Sequence, residues 1–273
     1  MRFSDFLEPR TARETLANLD GVETRDLYFW DSDDGGHPSL RRLINHILLY
    51  NQQTGKPIVP ATKLYAVLEH REAFCRVLDM VMGTPDIPVP RVCVEDLRNT
   101  ARLWLLFPAG AGEEENQEVG VRITNSYDLS VSLQGDLVIW VPVRDYAIVL
   151  SRTGDLGLPP LSLPHRAKAF EHLEERTAAF IRAAIAPATR EAFRTMVDRA
   201  ADDRFLFQSD EQKEAVLRQV FGKKIASRVA EQIPYSTTRA WLFWVMAEVA
   251  HRADVTPLMR DIFRQKAETF LRS

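Results

Sequence analysis

The sequence predicts an α+β protein with a helical N-terminal region, a central and mainly antiparallel sheet, and a C-terminal helical bundle. Three observations carry that class. Apolar residues recur at helical spacing on both flanks of the chain; short alternating runs crowd the middle; and two proline-bearing connectors, Thr84 to Pro90 and Gly154 to Pro164, separate the three characters. The expected divisions are therefore 1–83, 84–163 and 164–273.

In the first division, Thr11 to Asn18 reads as a short helix, with Thr11 and Glu14 at capping-box spacing and a stop near Asp20-Gly21. Leu27-Tyr28-Phe29-Trp30 is a compact apolar run ended by the acidic, glycine-bearing turn Asp31 to Gly36. The spacing of Leu40, Leu43, Ile44, Ile47 and Leu48 predicts a helix over Ser39 to Tyr50, and a second helix is expected over Lys63 to Met82. Three prolines within residues 85–90 then exclude a helix and give an extended connector.

Leu103 to Phe107, Val119 to Ile123, Ser130 to Leu133, Leu137 to Val141 and Tyr146 to Leu150 have strand lengths and patterns. With Gly135-Asp136 read as a hairpin turn, these runs make an antiparallel sheet from about residue 100 to 152. Beyond the second connector the pattern is helical: His165 to Ile185, Thr189 to Ala201, Asp210 to Val220, Lys223 to Gln232, Thr237 to Ala253 and a last helix opened by Pro257. The fifth of these is the most apolar and is expected at the centre of the bundle.

A chain of 273 residues, 45% hydrophobic and 27% charged, is long enough to bury a large core. It shows neither a secretory leader nor an apolar run of membrane-spanning length, so a cytoplasmic protein without membrane contact is expected. Cys75 and Cys93 read as reduced core residues. Net charge is −3, but residues 1–163 hold 16 basic against 23 acidic side chains (−7), and residues 164–273 hold 19 against 15 (+4). That balance is far below the dense basic surface of a dedicated duplex-DNA binder.

Chemistry-bearing constellations are sparse. Asp31, Asp33, Asp34 and His37 supply hard-ion ligands, but Gly35 occupies a ligand position of the calcium loop and no glutamate closes it, so a solvated turn is expected. The six histidines show no zinc spacing; His46 and His70 are expected on helices in surface or capping roles, and no metal, cofactor or catalytic residue is expected. Ser126, Asp128 and His165 lack the glycine-flanked turn of a hydrolase nucleophile; Asn125 and Asp128 are expected to bond the local backbone instead. His165, Arg166 and Lys168 place three potential cations at a helix start, where they oppose the helix dipole; either the geometry of the connector puts them there or an anionic ligand does. Arg218, Lys223, Lys224 and Arg228 form a basic strip around Gly222, interleaved with carboxylates; Arg199 and Arg204 precede it. Tyr127 is either a stacking platform for a base or a core residue.

The run Ile123-Thr-Asn-Ser-Tyr-Asp128, with Ser130 and Ser132, resembles the Asn-Ser-Tyr-Asp-Gly-Ser segment of an uncharacterised phage/plasmid-like protein family of prophages and conjugative elements. The order downstream is similar over residues 118–255: strands, a connector, Pro164-His165, and a late helix from Thr238-Arg-Ala-Trp241 to His251. Where that family carries a glycine after the aspartate this chain carries Leu129, and Trp140 to Asp145 replaces its Arg-x-Val-Cys-x-Asn-Gly segment. The resemblance implies a mobile-element origin rather than an activity.

Two functions follow as expectations. The first is a non-catalytic protein of mobile-element or antiphage biology that handles single-stranded nucleic acid through Tyr127, His165, Arg166, Lys168 and the strip Arg218, Lys223, Lys224 and Arg228. The second is an assembly subunit that binds protein partners or further copies of itself through Trp241, Phe243 and Trp244, or through Tyr28, Phe29 and Trp30.

Overall fold

A computed structural model describes residues 5–31, 39–97, 99–108, 118–129, 131–141, 146–151, 153–231, 233–250 and 255–272. Helix α1 (Pro9–Leu16) starts with proline at its first position, where the missing N–H leaves no bond unmade, and buries Ala12 and Leu16. Strands β1 (Val22–Asp31), β2 (Ser39–Asn51) and β3 (Pro57–Thr62) then form an antiparallel sheet in that order. The helix expected over Ser39 to Tyr50 is thus strand β2. Its apolar spacing fits a helix face, but the backbone is paired on both sides, to β1 along 39–51 and to β3 along 46–50. Ile44 is 73% and Leu40 54% exposed, so the spacing never marked a buried stripe. The helical character expected of residues 1–83 therefore fails between 22 and 62.

Helix α2 (His70–Gly83) begins later than expected, because residues 63–69 run irregularly and are tied elsewhere, Ala66 N–H donating to the His165 carbonyl at 2.9 Å. The connector after it is not helical, as its prolines require, but it is not extended throughout as expected: it turns at Pro85-Asp86, where the Ile87 N–H donates to the Thr84 carbonyl at 3.1 Å.

The central sheet is an antiparallel meander of β4 (Arg91–Asp96), β5 (Thr100–Phe107), β6 (Glu118–Ser126), β7 (Leu133–Val141) and β8 (Tyr146–Leu150), with β9 (Ser162–Leu163) pairing to β7. Gly135-Asp136 is not a turn: Gly135 lies inside β7 opposite Ile123, and Asp136 lies opposite Arg122. The glycine answers a different need, since a Cβ there would come within 2.8 Å of both Leu161 and Phe180. The β6–β7 reversal instead runs through Tyr127, Asp128 and Leu129, where Ser126 Oγ donates to the Val131 carbonyl (2.9 Å) and accepts from its N–H (3.3 Å).

Beyond β9 come α3 (Ala167–Phe170), α4 (Leu173–Ile185), α5 (Pro187–Asp202), β10 (Arg204–Leu206), α6 (Asp210–Phe221), α7 (Lys223–Ala230), β11 (Ser236–Thr238), α8 (Arg239–Ala250) and α9 (Pro257–Arg272). The single helix expected over His165 to Ile185 is broken at Glu171-His172, which lets Phe170 meet the His165 ring edge-on at 5.6 Å while Leu173 enters the main core.

Leu103, Leu105, Val121, Ile123 and Ile139 alternate onto one face of the central sheet and share a buried cluster with α1, α2 and α4. Phe180 of α4, Phe243 of α8 and Phe263 of α9 belong to the same cluster. The opposite face carries Trp104, Val138 and Trp140 with a buried ion pair, Arg122 to Asp136 at 2.7 Å; Arg264 of α9 stands over the Trp104 ring at 5.9 Å. Both cysteines are free, and burial pushes the Cys93 thiol up to about 12, the state of an inert core thiol. No helix among the described residues is long and apolar enough to cross a membrane.

Candidate functional site

The end of the β1–β2–β3 sheet, the 127–132 turn and the segment before α3 converge on an open cleft of about 450 Å³. His46 and Thr62, cross-strand neighbours on β2 and β3, form one side; Leu129, Val131 and Ser132 form another; Pro164, His165 and Arg166 close the third. That volume lies in the range of small-ligand sites, about 300–1,000 Å³.

Beneath the cleft is a chain of rings. Tyr65 stacks on His165 at 4.9 Å, and its hydroxyl donates to the Ser126 carbonyl at 3.3 Å. His70 lies 3.7 Å over Tyr127 and is bracketed by Phe74. Asn125 Nδ2 donates to the Leu68 carbonyl (2.9 Å) and meets His70 Nδ1 at 3.0 Å, so Asn125 bonds a distant backbone rather than the local one expected. The Tyr127 hydroxyl accepts from the His70 N–H at 2.6 Å and donates to the Asp20 carbonyl at 3.4 Å.

Burial governs the electrostatics. It pushes His70 down to about 3, helped by the nearby His165 and opposed weakly by the Asn99 backbone and Asp128. Burial also lowers His165, with the Ala66 backbone pulling slightly the other way, and raises both tyrosine hydroxyls, Tyr65 with help from Asp128. At neutral pH these are uncharged imidazoles and phenols. His165 is 8% exposed, and neither ring nitrogen has a hydrogen-bond partner of good geometry among the described residues; His46 Nδ1 is in the same position. These nitrogens are enclosed as well as unsatisfied, which is costly in a fold.

The rim adds two features. Arg166 is exposed and has no carboxylate partner among the described residues. Leu129 adopts φ 62°, the left-handed region that costs a non-glycine residue about 1 kcal/mol or more, yet its side chain is 45% exposed and contributes little to the core. Leu64, 77% exposed, lines the same rim.

Several expected site residues fall elsewhere. Tyr127 is fully buried beneath His70 and offers no face to a base. His165 is a neutral wall of the cleft and not a cation opposing a helix dipole; Lys168 is exposed on α3, which has only four residues, and does not line the cleft. His46 is on a strand and His70 is buried, so neither takes the helix-surface role expected. Arg218 pairs with Glu214 at 2.7 Å, and Glu214 also accepts from Ser227 Oγ at 2.6 Å, tying α6 to α7. Lys223 is exposed at the start of α7, after Gly222 at φ 72°. The side chains of Lys224 and Arg228 lie outside the described residues, as do His37, His251 and most of the Asp31 to Gly36 turn. Neither Arg218 nor Lys223 lines the cleft. Phe243 is buried in the core, which removes it as an interface anchor; Trp241 is 36% exposed and Trp244 half-buried against the core. Tyr28 is exposed, and the side chains of Phe29 and Trp30 lie outside the described residues.

A second recess, of about 510 Å³, lies between the 153–156 turn, α5 and α9, but its Asp155 and Arg272 are paired with each other. Among the described residues no group of three or more histidine, cysteine or carboxylate side chains is placed to hold a metal ion. His46, Leu64, Tyr65 and Leu129 were not expected as site residues; the usable signal was Leu129, a leucine in a turn where glycine is at ease. Comparison with protein-family models, with curated proteins and with solved structures returns no match to this chain.

Proposed function

We propose that this is a non-catalytic protein that handles single-stranded nucleic acid, and that the cleft beside Arg166 is where the strand is held. One observation carries the reading: a guanidinium with no carboxylate partner among the described residues stands at the mouth of a cleft whose walls combine apolar side chains with two imidazoles. A strand offers the complement, an anionic backbone with flat, partly apolar bases that carry both donors and acceptors. Lys223 supplies a separate positive point on α7 for a longer strand. The mobile-element setting is what the Asn125-Ser-Tyr-Asp128 resemblance suggests, and it fits such a role.

The test is fluorescence anisotropy of a labelled single-stranded oligonucleotide at several salt concentrations. Micromolar or tighter binding that weakens steeply with salt is expected, and Arg166→Glu should weaken it by about tenfold or more at low salt. Absence of binding at low salt overturns the proposal.

A second reading, an assembly subunit, rests on the β1–β2 hairpin, where Tyr28, Leu40 and Ile44 are exposed together on paired strands. Mass measurement in solution separates the two, because assembly does not require nucleic acid.

A further inference from the structure

Leu129 is the unusual residue of the cleft. Its backbone is held in a conformation that glycine adopts freely and leucine does not, and its side chain is nearly half exposed instead of packed in the core. A strained residue whose side chain contributes little to folding is a sign of use at the surface. It lines one recess with Leu64, Pro60 and Pro164, three further apolar groups that fold stability does not require there, and with Arg166 and the two unsatisfied imidazoles of His46 and His165.

Resting on the strand-binding reading above, we infer that this cleft is a pocket for a single unstacked nucleobase, with Leu129 and Leu64 as its apolar walls, the His46 ring on its polar side, the enclosed His165 ring behind it, and Arg166 on the adjoining phosphate. The cleft volume of about 450 Å³ is ample for one such unit. A duplex keeps its bases paired, so it can reach only the phosphate contact; a preference for single strands follows from the pocket itself.

The experiment compares an oligothymidylate of about fifteen nucleotides with a deoxyribose-phosphate chain of the same length and charge but no bases, using the full-length protein. About tenfold weaker binding of the base-free chain is expected, since stacking and edge contacts are lost while charge is kept. Leu129→Gly relieves the backbone, so its melting temperature should hold or rise while its affinity for the oligothymidylate falls about three- to tenfold. Equal binding of the two polymers, together with unchanged affinity of Leu129→Gly, overturns the base pocket and leaves strand binding standing. Failure of both polymers to bind at low salt overturns strand binding and the pocket with it.

Discussion

The two sheets of this molecule use their side chains differently. In the central sheet, β5 is buried from Ala101 to Phe107 and β6 from Val119 to Ser126, and even charged residues on its second face, Arg122 and Asp136, are sealed from water. In the β1–β2–β3 sheet the buried side chains among those described on β2 are Leu49 and Asn51, while Leu40 and Ile44 meet solvent. The first sheet is held by what covers it, and the second by backbone pairing plus a small cluster of Val22, Leu49, Ala61 and Tyr127 at one end. A sheet that contributes less to the core has side chains to spare, and the cleft is built from that one, at the seam where the two sheets meet.

That contrast breaks first under the largest perturbation. Asp136→Leu strands Arg122 in the sealed face of the central sheet, and chemical denaturation should show a loss of about 3–5 kcal/mol, with much of it recovered in the double variant Arg122→Met/Asp136→Leu. A loss under about 1 kcal/mol would mean that the second face is not the rigid layer described.

The seam is more sensitive to pH than either sheet. His70 titrates near 3 in the fold and near 6.5 when unfolded, so below about 6.5 the unfolded chain takes up a proton that the folded chain does not. Stability should therefore be full above that range and fall as pH drops, by up to about 1.4 kcal/mol per unit until His70 itself protonates near 3. His165, shifted the same way, adds to the loss. Unfolding midpoints measured from pH 7 to 4 check this, and His70→Phe should flatten the profile. The smallest effect belongs to the open sheet: Ile44→Ser should change stability by no more than about 0.5 kcal/mol, and a larger loss would show that the β1–β2 hairpin is covered in solution.

The same contrast explains what could be read beforehand. Leu103 to Phe107 and Val119 to Ile123 are unbroken apolar runs because both faces are covered, and such runs announce strands. Strand β2 carries an arginine pair and apolar residues spaced three and four apart on a mostly open surface, a pattern equally suited to a helix, and only its pairing with β1 and β3 decides. Gly135 was misread because glycine serves turns and close approaches alike, and the side chain of Phe180, 45 residues on, settles which. Of the cleft, His165 and Arg166 were legible as an oddly placed basic pair. His46 was not, since it joins the site through the strand read as a helix, and Leu64 and Tyr65 were not, since they lie in the irregular 63–69 segment read as the start of the next helix.

The hydroxyl of Tyr127 has a consequence for the order in which the chain can be completed. Helix α2 has no side-chain cap from Glu69, and its first N–H is satisfied by a residue 57 positions later. The helix is therefore synthesised before its cap exists. A ribosome-bound chain that ends short of β6 carries α2 with a frayed first turn, and that turn closes only when Tyr127 arrives to join the two sheets.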